Sequence, residues 1–169
     1  AYLDAAGERQ QHVRLPIGSV MHFTPANVDT MFVYSWVCAL VLGNISIVRL
    51  SRQNSPVKAR LLAIINQLYA LDTYRYIAIR NIFLTYDYGS DVTHRLSKYV
   101  DARVIWGGDE AVENIRHIPA KPKTRDIAFS DRYSVTLIGS EGLQNNSDIS
   151  QVAKQLWRDI EPYQQQACS

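Results

Sequence analysis

Short apolar runs alternate along the chain with longer segments in which apolar residues recur every three or four positions. The first run, 18–23 (GSVMHF), predicts a strand, and Thr24-Pro25-Ala26-Asn27 breaks it before an apolar helix over about 29–42. Gly43-Asn44 ends that helix, because glycine readily adopts the left-handed conformation that closes a helix. The pattern therefore predicts one strand–helix unit in the first part of the chain.

Three further strand–helix units follow. Their predicted bounds are 45–50 with 57–71, 81–86 with 90–100, and 102–106 with 109–117. Ser55 is the predicted N-cap of the helix over 57–71, with Pro56 in its first turn. Residues 126–129 and 133–138 predict two more strands, and 148–161 predicts an amphipathic helix. Because a regular strand-then-helix order is typical of the α/β class, we expect a Rossmann-like, doubly wound, mainly parallel sheet with helices on both faces.

Composition excludes several classes of function. The 18 basic residues are balanced by 16 acidic ones, which is too even for a nucleic-acid-binding surface, so no nucleic-acid partner is expected. The longest apolar run, 31–42, is much shorter than the roughly 20 residues that cross a bilayer, so no transmembrane segment is predicted. Cys38 and Cys168 lie far apart in different settings, which argues against a disulfide and favours a reducing cytoplasm. Cys38, within the apolar helix, is expected to pack in the core.

The candidate ligand-binding residues are those that follow each strand, because doubly wound sheets bind ligands beyond the carboxyl ends of their strands. Gly107-Gly108, between a strand and a helix, leaves backbone N–H groups open to a pyrophosphate at the positive end of the helix. A tight turn without a ligand explains the two glycines equally well. Arg49, Ser51 and Arg52 follow another strand, where they could bind a ribose 2′-phosphate and favour NADP over NAD. Solvated surface arginines are the alternative.

Two further residues suit the chemistry of a thiol enzyme. Cys168 lies among polar and small residues (QQQACS), unlike an inert core cysteine, and a thiolate readily attacks an acyl thioester. Asn27 could donate its side-chain amide to a developing oxyanion, or it could be an ordinary turn former. The four histidines show no ligand spacing with each other or with the cysteines, so no metal site is predicted.

Several segments together carry a family resemblance. They are Thr24-Pro25-Ala26-Asn27-Val28, 39–48 with its Gly43-Asn44, Arg49-Leu50-Ser51 with Pro56, 104–109 (VIWGGD), Val135-Thr136-Leu137 and Gln166-Ala167-Cys168-Ser169. In order and spacing this series resembles the aldehyde dehydrogenase superfamily. Within it, the chain looks like the acyl-CoA reductase branch, the fatty-acid reductases that supply aldehyde to bacterial luciferase. The resemblance covers the chain from about Gly18 onward.

The resemblance implies a role for each matching residue. Asn27 is similar to the family's oxyanion-binding asparagine, and Cys168 is similar to its nucleophile. Arg49 stands where the superfamily has a lysine that contacts the adenosine ribose, and Arg52 stands where many NAD-specific members have a glutamate. A base in place of that acid suits a 2′-phosphate, so we expect NADPH as the cofactor. The other residues expected at the cofactor are Thr24, Pro25, Ala26, Ser51, Gly107 and Gly108.

One departure from the superfamily bears on the direction of the reaction. Hydrolytic aldehyde dehydrogenases have a water-activating glutamate shortly after the Val-Thr-Leu segment, and here that position is Ile138. Loss of such a base favours hydride delivery over hydrolysis. We therefore expect NADPH-dependent reduction of a long-chain acyl-CoA or acyl-carrier thioester to the aldehyde. Aldehyde oxidation with NAD, using Glu141, and a nucleotide-binding module without chemistry remain alternatives.

The resemblance also implies a domain organisation. Residues 1–17 are expected to form an N-terminal extension, and 18–169 the cofactor-binding domain, which ends at the nucleophile. A catalytic and oligomerisation domain would follow in the full-length protein, which we expect to be a homo-oligomer. The 169-residue piece is expected to have little or no activity by itself.

Overall fold

A pair of short strands precedes the main body of the chain. The computed structural model describes residues 2–3, 9–10, 14–87, 89–132, 135–140 and 149–161. Strand β1 (Tyr2–Leu3) pairs antiparallel with β2 (Arg9–Gln10). Both strands fall in the segment expected to be an N-terminal extension, and the sequence pattern did not predict them.

The main body follows the predicted strand–helix order. Its elements are β3 (Ser19–Phe23), α1 (Met31–Leu40), β4 (Ile45–Arg49), α2 (Pro56–Tyr69), a 3₁₀ helix (Asp72–Tyr74), α3 (Arg75–Ala78), β5 (Asn81–Leu84), α4 (Val92–Ser97), β6 (Ala102–Trp106), α5 (Asp109–Arg116), β7 (Arg125–Phe129) and α6 (Ile149–Ile160). Each predicted strand–helix unit is confirmed to within a few residues. The short helices over 72–78 were not predicted, since so few residues give no periodic pattern.

The predicted strand over 133–138 is wrong for the part that the structure describes. Residues 135–139 lie outside any helix or strand, and the side chains of Val135 and Leu137 are 80% and 90% exposed. An alternating apolar pattern forms a strand only where it packs against neighbouring strands, and the described residues give this segment no such neighbour.

Helix α1 does not turn Cys38 toward the core, contrary to the expectation from the sequence. The helix buries Phe32, Ser35, Trp36 and Ala39. Cys38 is exposed, so the expectation that it packs in the core is wrong. Because α1 is apolar nearly all round, its composition does not indicate which side faces the sheet.

Five parallel strands form the central sheet, in the order β5-β4-β3-β6-β7. Strand β3 lies in the middle, with Met21 opposite Ile47 of β4 and opposite Arg103 of β6. The chain passes from β3 to β4 and β5, and then crosses back to β6 and β7 on the other side. This reversal creates a topological switch point between the carboxyl ends of β3 and β6, where open α/β sheets bind ligands. The predicted α/β class and parallel sheet are confirmed.

Two apolar cores cover opposite faces of the sheet. One contains the buried residues Met21, Phe23, Val100, Ile105 and Val112, with Leu96 of α4 and Ile115 of α5 packed against them. The other contains Phe32, Trp36, Val48, Leu50 and Ile65 and is covered by α1 and α2. Successive strand residues point to opposite faces, so the expectation of helices on both faces is confirmed. None of the helices in the described ranges is long and apolar enough to span a membrane.

The amino-terminal edge of the sheet is closed by the Asp101 carboxylate. It accepts hydrogen bonds from the backbone N–H and the hydroxyl of Ser19, both at 2.8 Å, and from Lys121 at 2.7 Å. These bonds, that of Lys121 first, lower the pKa of Asp101 to about 2. Gly18 has φ 123°, and a Cβ there would collide with the same carboxylate, so the position requires glycine. The starts of β3 and β6 are thereby held together.

The imidazole of His22 is fully buried in the middle of β3. Its Nδ1 lies 2.8 Å from Oγ of Ser35 in α1, and the same oxygen accepts a hydrogen bond from Nε1 of Trp106 at 3.0 Å. The described residues offer no hydrogen-bond partner to Nε2. Because burial penalises the charged imidazolium, the pKa of His22 is lowered to about 4.

We expect His22 to weaken folding at acid pH. The unfolded chain binds a proton near the ordinary pKa of 6.5, whereas the folded chain binds it only near 4, so the free energy of unfolding rises with pH between these values. The gain amounts to roughly 3 kcal/mol over that window. Glutamine does not titrate, so His22→Gln should reduce the slope of the unfolding free energy against pH. The reduction should correspond to at most about one bound proton. Urea unfolding from pH 4 to 7 measures the slope, with the exposed His94→Gln as control, and an unchanged slope in His22→Gln contradicts the prediction.

Candidate functional site

A cavity of about 890 Å³ opens at the carboxyl ends of β3, β4, β6 and β7. Parallel pairing brings these strand ends to one edge of the sheet, so the loops that follow them converge. The residues that line the cavity are 23–28, 30–31, 34, 49, 51, 105–108, 111, 114–115 and 129–131. Its position coincides with the switch point between β3 and β6.

Most of the predicted site residues line this one cavity. They are Thr24, Pro25, Ala26, Asn27, Arg49, Ser51, Gly107 and Gly108. Arg52 does not line it, while Cys168 and Glu141 lie outside the described residues. Within the described part of the chain, no group of histidine, cysteine, aspartate and glutamate side chains could hold a metal ion.

Thr24 joins two of the strand ends that form the cavity. Its hydroxyl donates to the carbonyl oxygen of Arg49 at 2.8 Å, and its backbone N–H donates to the same oxygen at 3.3 Å. These bonds hold the loop after β3 against the end of β4. Asn27 follows in the same loop, exposed at the rim of the cavity.

Arg49 is the last residue of β4, and it is only 8% exposed. Its guanidinium carbon lies 5.3 Å from the centre of the Tyr86 ring, a distance at which a cation is attracted to an aromatic face. Burial raises the pKa of Tyr86, while the hydrogen bond with Thr93 and the charge of Arg49 act in the opposite direction. The alternative of a solvated surface arginine is therefore wrong for Arg49.

Arg52 occupies a more exposed position in the loop after β4. It forms an ion pair with Asp87, which follows β5, and the two side chains are 58% and 73% exposed. Exposed ion pairs contribute little to stability, because water screens them. Asp87 therefore offsets part of the charge that Arg52 could present to a ligand. Its pairing with Arg52 could not be read from the sequence, because 35 positions separate the two residues.

The two glycines lie at the N-terminus of α5, where Gly108 is the N-cap residue. A Cβ on Gly107 would lie 3.2 Å from Cβ of Ala111, and a Cβ on Gly108 would lie 3.1 Å from Oδ2 of Asp131. The same Asp131 oxygen accepts a hydrogen bond from the backbone N–H of Asp109 at 3.3 Å. A Cβ at either position would need its neighbour to move by a few tenths of an ångström, so close packing favours glycine here, and a carboxylate lies at the helix end where a phosphate was expected.

Aromatic side chains form one wall of the cavity. The rings of Trp106 and Phe129 stack with their centres 3.9 Å apart and their planes 9° apart, and Tyr34 meets Trp106 edge-on at 6.3 Å. The hydrogen bond from Trp106 to Ser35, which also contacts His22, orients the indole. Sequence reasoning did not single out Phe129 or Tyr34, because nothing local in the sequence places them beside Trp106.

At the end of β7 the cavity is lined by Phe129, the last residue of the strand, and by Ser130 and Asp131, not by the Val-Thr-Leu segment. Ile138 is 45% exposed and is not among the lining residues. The argument from Ile138 therefore does not apply to the cavity wall that the structure describes. At the end of β7 the cavity meets the apolar Phe129 and the carboxylate of Asp131.

Comparisons with known proteins agree with this architecture. A family model described as acyl-CoA reductase (LuxC) matches residues 3–169. Over 156 residues the chain is 29% identical to a protein of Vibrio harveyi named long-chain acyl-protein thioester reductase. The match covers 90% of this chain and 31% of the relative, so the chain spans about a third of that protein's length.

Solved structures share the fold at lower identity. An aldehyde dehydrogenase from Bartonella henselae has a TM-score of 0.65 and 21% identity, over 92% of this chain and 30% of its own. A glyceraldehyde-3-phosphate dehydrogenase from Methanocaldococcus jannaschii, complexed with NADP, has a TM-score of 0.57 and 20% identity, over 70% of this chain and 25% of its own. At these identities the likeness shows the fold alone.

We expect Asp131→Asn to affect stability and dinucleotide binding in opposite directions. The change weakens the cap on α5 and lowers the free energy of unfolding by about 0.5 kcal/mol. It also removes a negative charge beside Gly107 and Gly108, so the full-length protein should bind NADP⁺, the oxidised form of the cofactor expected from the sequence, severalfold more tightly. Urea unfolding and calorimetric titration measure the two effects, with Asp72→Asn, outside the cavity, as control. Weaker NADP⁺ binding by Asp131→Asn contradicts the prediction.

Proposed function

The chain belongs to the acyl-CoA reductase (LuxC) family, and from that premise we propose that the protein containing it reduces an acyl thioester to the aldehyde with NADPH. The acyl donor is an acyl-CoA or an acyl group on a carrier protein. The V. harveyi relative, named for long-chain acyl-protein thioesters, supports this substrate class. The observation that carries the proposal is the convergence of Asn27, Arg49 and Gly107-Gly108 on one cavity at the switch point.

The proposed reaction proceeds through an acyl group on Cys168. The thiolate attacks the thioester carbonyl, and the side-chain amide of Asn27 donates a hydrogen bond to the oxyanion that forms. The carbon–sulfur bond to the leaving thiol then breaks, and the thiol departs with a proton. When bound, NADPH supplies the hydride that reduces the acyl group. The resulting thiohemiacetal on Cys168 collapses to the aldehyde and restores the thiol, so one thioester, one NADPH and one proton give an aldehyde, a thiol and NADP⁺.

The volume of the cavity and the residues at its two ends suit a dinucleotide. Gly107 and Gly108 bring no side chains of their own to the N-terminus of α5, where a pyrophosphate would bind in place of the Asp131 carboxylate that accepts a hydrogen bond from Asp109. Arg49 and Ser51 would face the adenosine ribose and its 2′-phosphate, with Thr24, Pro25 and Ala26 along the cofactor. Arg52, outside the cavity lining, would reach the 2′-phosphate only after leaving Asp87.

The aromatic wall supports reduction over hydrolysis. Trp106, Phe129 and Tyr34, with Met31 and Val28, make this part of the cavity apolar. An acyl-cysteine must meet hydride before it meets water if aldehyde is to be the product, and this wall would exclude water once the acyl chain or the rest of the protein covers the exposed rings of Tyr34 and Phe129. Phe129 contributes no base at the end of β7. Asp131 lines the same cavity, and among the described residues of the lining this carboxylate favours a water-activating, aldehyde-oxidising enzyme instead.

The proposed reaction also implies a domain organisation for the protein that contains this chain. We assign 18–169 as the cofactor-binding part of a larger, homo-oligomeric protein whose remaining chain completes the acyl channel. A reducing compartment such as the cytoplasm would keep Cys168 as a thiol.

Thiol labelling tests the reaction directly. The full-length protein is incubated with radiolabelled long-chain acyl-CoA, and the label is expected on Cys168, to be released as aldehyde when NADPH is added. Cys168→Ala should lose the label and the activity, whereas Cys38→Ala, which removes the exposed thiol on α1, should keep both. Label retained by Cys168→Ala contradicts the proposal. Release of free acid from an aldehyde with NAD would favour the oxidising alternative, and cofactor binding without any label would favour the module without chemistry.

The cofactor preference has a separate test. Because Arg49 ends β4 and Arg52 lies in the following loop, which contains no carboxylate of its own, we expect NADPH to bind at least tenfold more tightly than NADH. Fluorescence titration of the full-length protein with both cofactors measures the ratio, with Trp106 in the cavity wall as an intrinsic reporter. Equal or tighter binding of NADH would remove the assignment of NADPH.

A further inference from the structure

A buried histidine that the proposed reaction does not use is connected to the aromatic wall through a single serine. His22 of β3 and Ser35 of α1 are 0% and 5% exposed, and Nδ1 of the imidazole lies 2.8 Å from the serine hydroxyl. Neutral imidazole has one N–H and one bare nitrogen, so either side chain can donate this hydrogen bond. The contact joins the central strand of the sheet to the helix beside the cavity.

Ser35 also satisfies the one polar atom of the Trp106 indole. Nε1 of Trp106 donates a hydrogen bond to Oγ of Ser35 at 3.0 Å. An indole N–H can only donate, so this bond uses a lone pair of the hydroxyl oxygen. The polar edge of the indole is therefore satisfied inside the protein, although the ring itself lines the cavity.

This hydrogen bond affects how the wall interacts with water. Trp106 lies flat on Phe129, with the ring centres 3.9 Å apart, and Tyr34 meets its edge. Without an acceptor at Ser35, the half-buried indole would carry an unpaired N–H at the wall of the cavity. An unpaired donor is costly, and a water molecule that enters the wall is the partner that removes the cost. Such a water would lie in the cavity where the acyl-cysteine is proposed to react.

We infer that His22 and Ser35 are positioning residues that keep water away from the acyl intermediate by binding and orienting the indole of Trp106. The inference rests on the proposed function, because it concerns the fate of the acyl group on Cys168. Hydride gives the aldehyde, whereas water adds to the acyl carbon, breaks the carbon–sulfur bond and gives free acid and the thiol. Among the described residues neither His22 nor Ser35 lines the cavity, so they act through Trp106.

Single-turnover labelling measures the two fates separately. The full-length protein is labelled on Cys168 with radiolabelled long-chain acyl-CoA, and the acid released without NADPH and the aldehyde released with NADPH are followed. Ser35→Ala should speed acid release about fivefold or more, because the unpaired N–H admits water, and should leave the rate of acylation within about twofold. Ser97→Ala, which alters a fully buried serine at the end of α4, is the matched control and should change neither rate.

Two further comparisons distinguish positioning from packing. His22→Asn keeps a hydrogen-bonding group near the position of Nδ1 and should release acid as slowly as the wild type, whereas His22→Leu should release it as fast as Ser35→Ala. Trp106→Phe has no N–H to satisfy, so adding Ser35→Ala to it should increase acid release no further. An equal increase in both backgrounds means that Ser35 only fills space, and it overturns the inference.

The outcomes separate this inference from the proposed function. A labelled wild-type protein that yields aldehyde, together with unchanged acid release in Ser35→Ala, overturns the inference and leaves the proposed function standing. Unchanged acid release in His22→Leu overturns the role assigned to His22. A wild-type protein that forms no acyl-cysteine overturns the proposed function and the inference together.

Discussion

Parallel pairing of β3 with both of its neighbours is the constraint on which the rest of the structure depends. Because β4 and β6 run in the same direction as β3, their carboxyl ends meet at one edge of the sheet. The chain turns away from β3 in opposite directions on its two sides, so the covering helices separate there and leave a cavity. Thr24 holds the carboxyl ends of β3 and β4 together, because its hydroxyl and its backbone N–H both donate hydrogen bonds to the carbonyl oxygen of Arg49.

Buried polar groups hold the sheet in this arrangement together with the apolar cores. Arg103 in β6 is 3% exposed and makes two hydrogen bonds to Asp126 of β7, at 2.6 and 2.7 Å, and a third to the carbonyl of Ile118. His22, Ser35 and Trp106 link β3, α1 and β6 on the other face. A buried polar group without its partner is costly, so each network favours one register of strands and one orientation of Trp106.

The cavity combines two kinds of surface, and their separation bears on its chemistry. The cationic surface lies at the end of β4, where Arg49 contacts the ring of Tyr86. Aromatic rings cover the ends of β6 and β7, with Asp131 beside the glycines of α5. A charged end suits phosphates, and an apolar end suits a reaction that must exclude water. The proposed transfer of hydride to an acyl-cysteine requires both properties in one site.

The sequence by itself determined the strand–helix order, the parallel α/β class and the part of the cavity lining that directly follows β3, β4 and β6, because apolar periodicity, caps and glycine turns are local signals. The resemblance added the roles proposed for Asn27 and Cys168. Only the tertiary structure decided which distant residues meet, such as Trp106 with Phe129 and Arg52 with Asp87. It also decided that Cys38 is exposed and that 135–139 form no strand. Whether a residue is buried or paired depends on the distant parts of the chain that pack against it, and a local sequence pattern does not identify those parts.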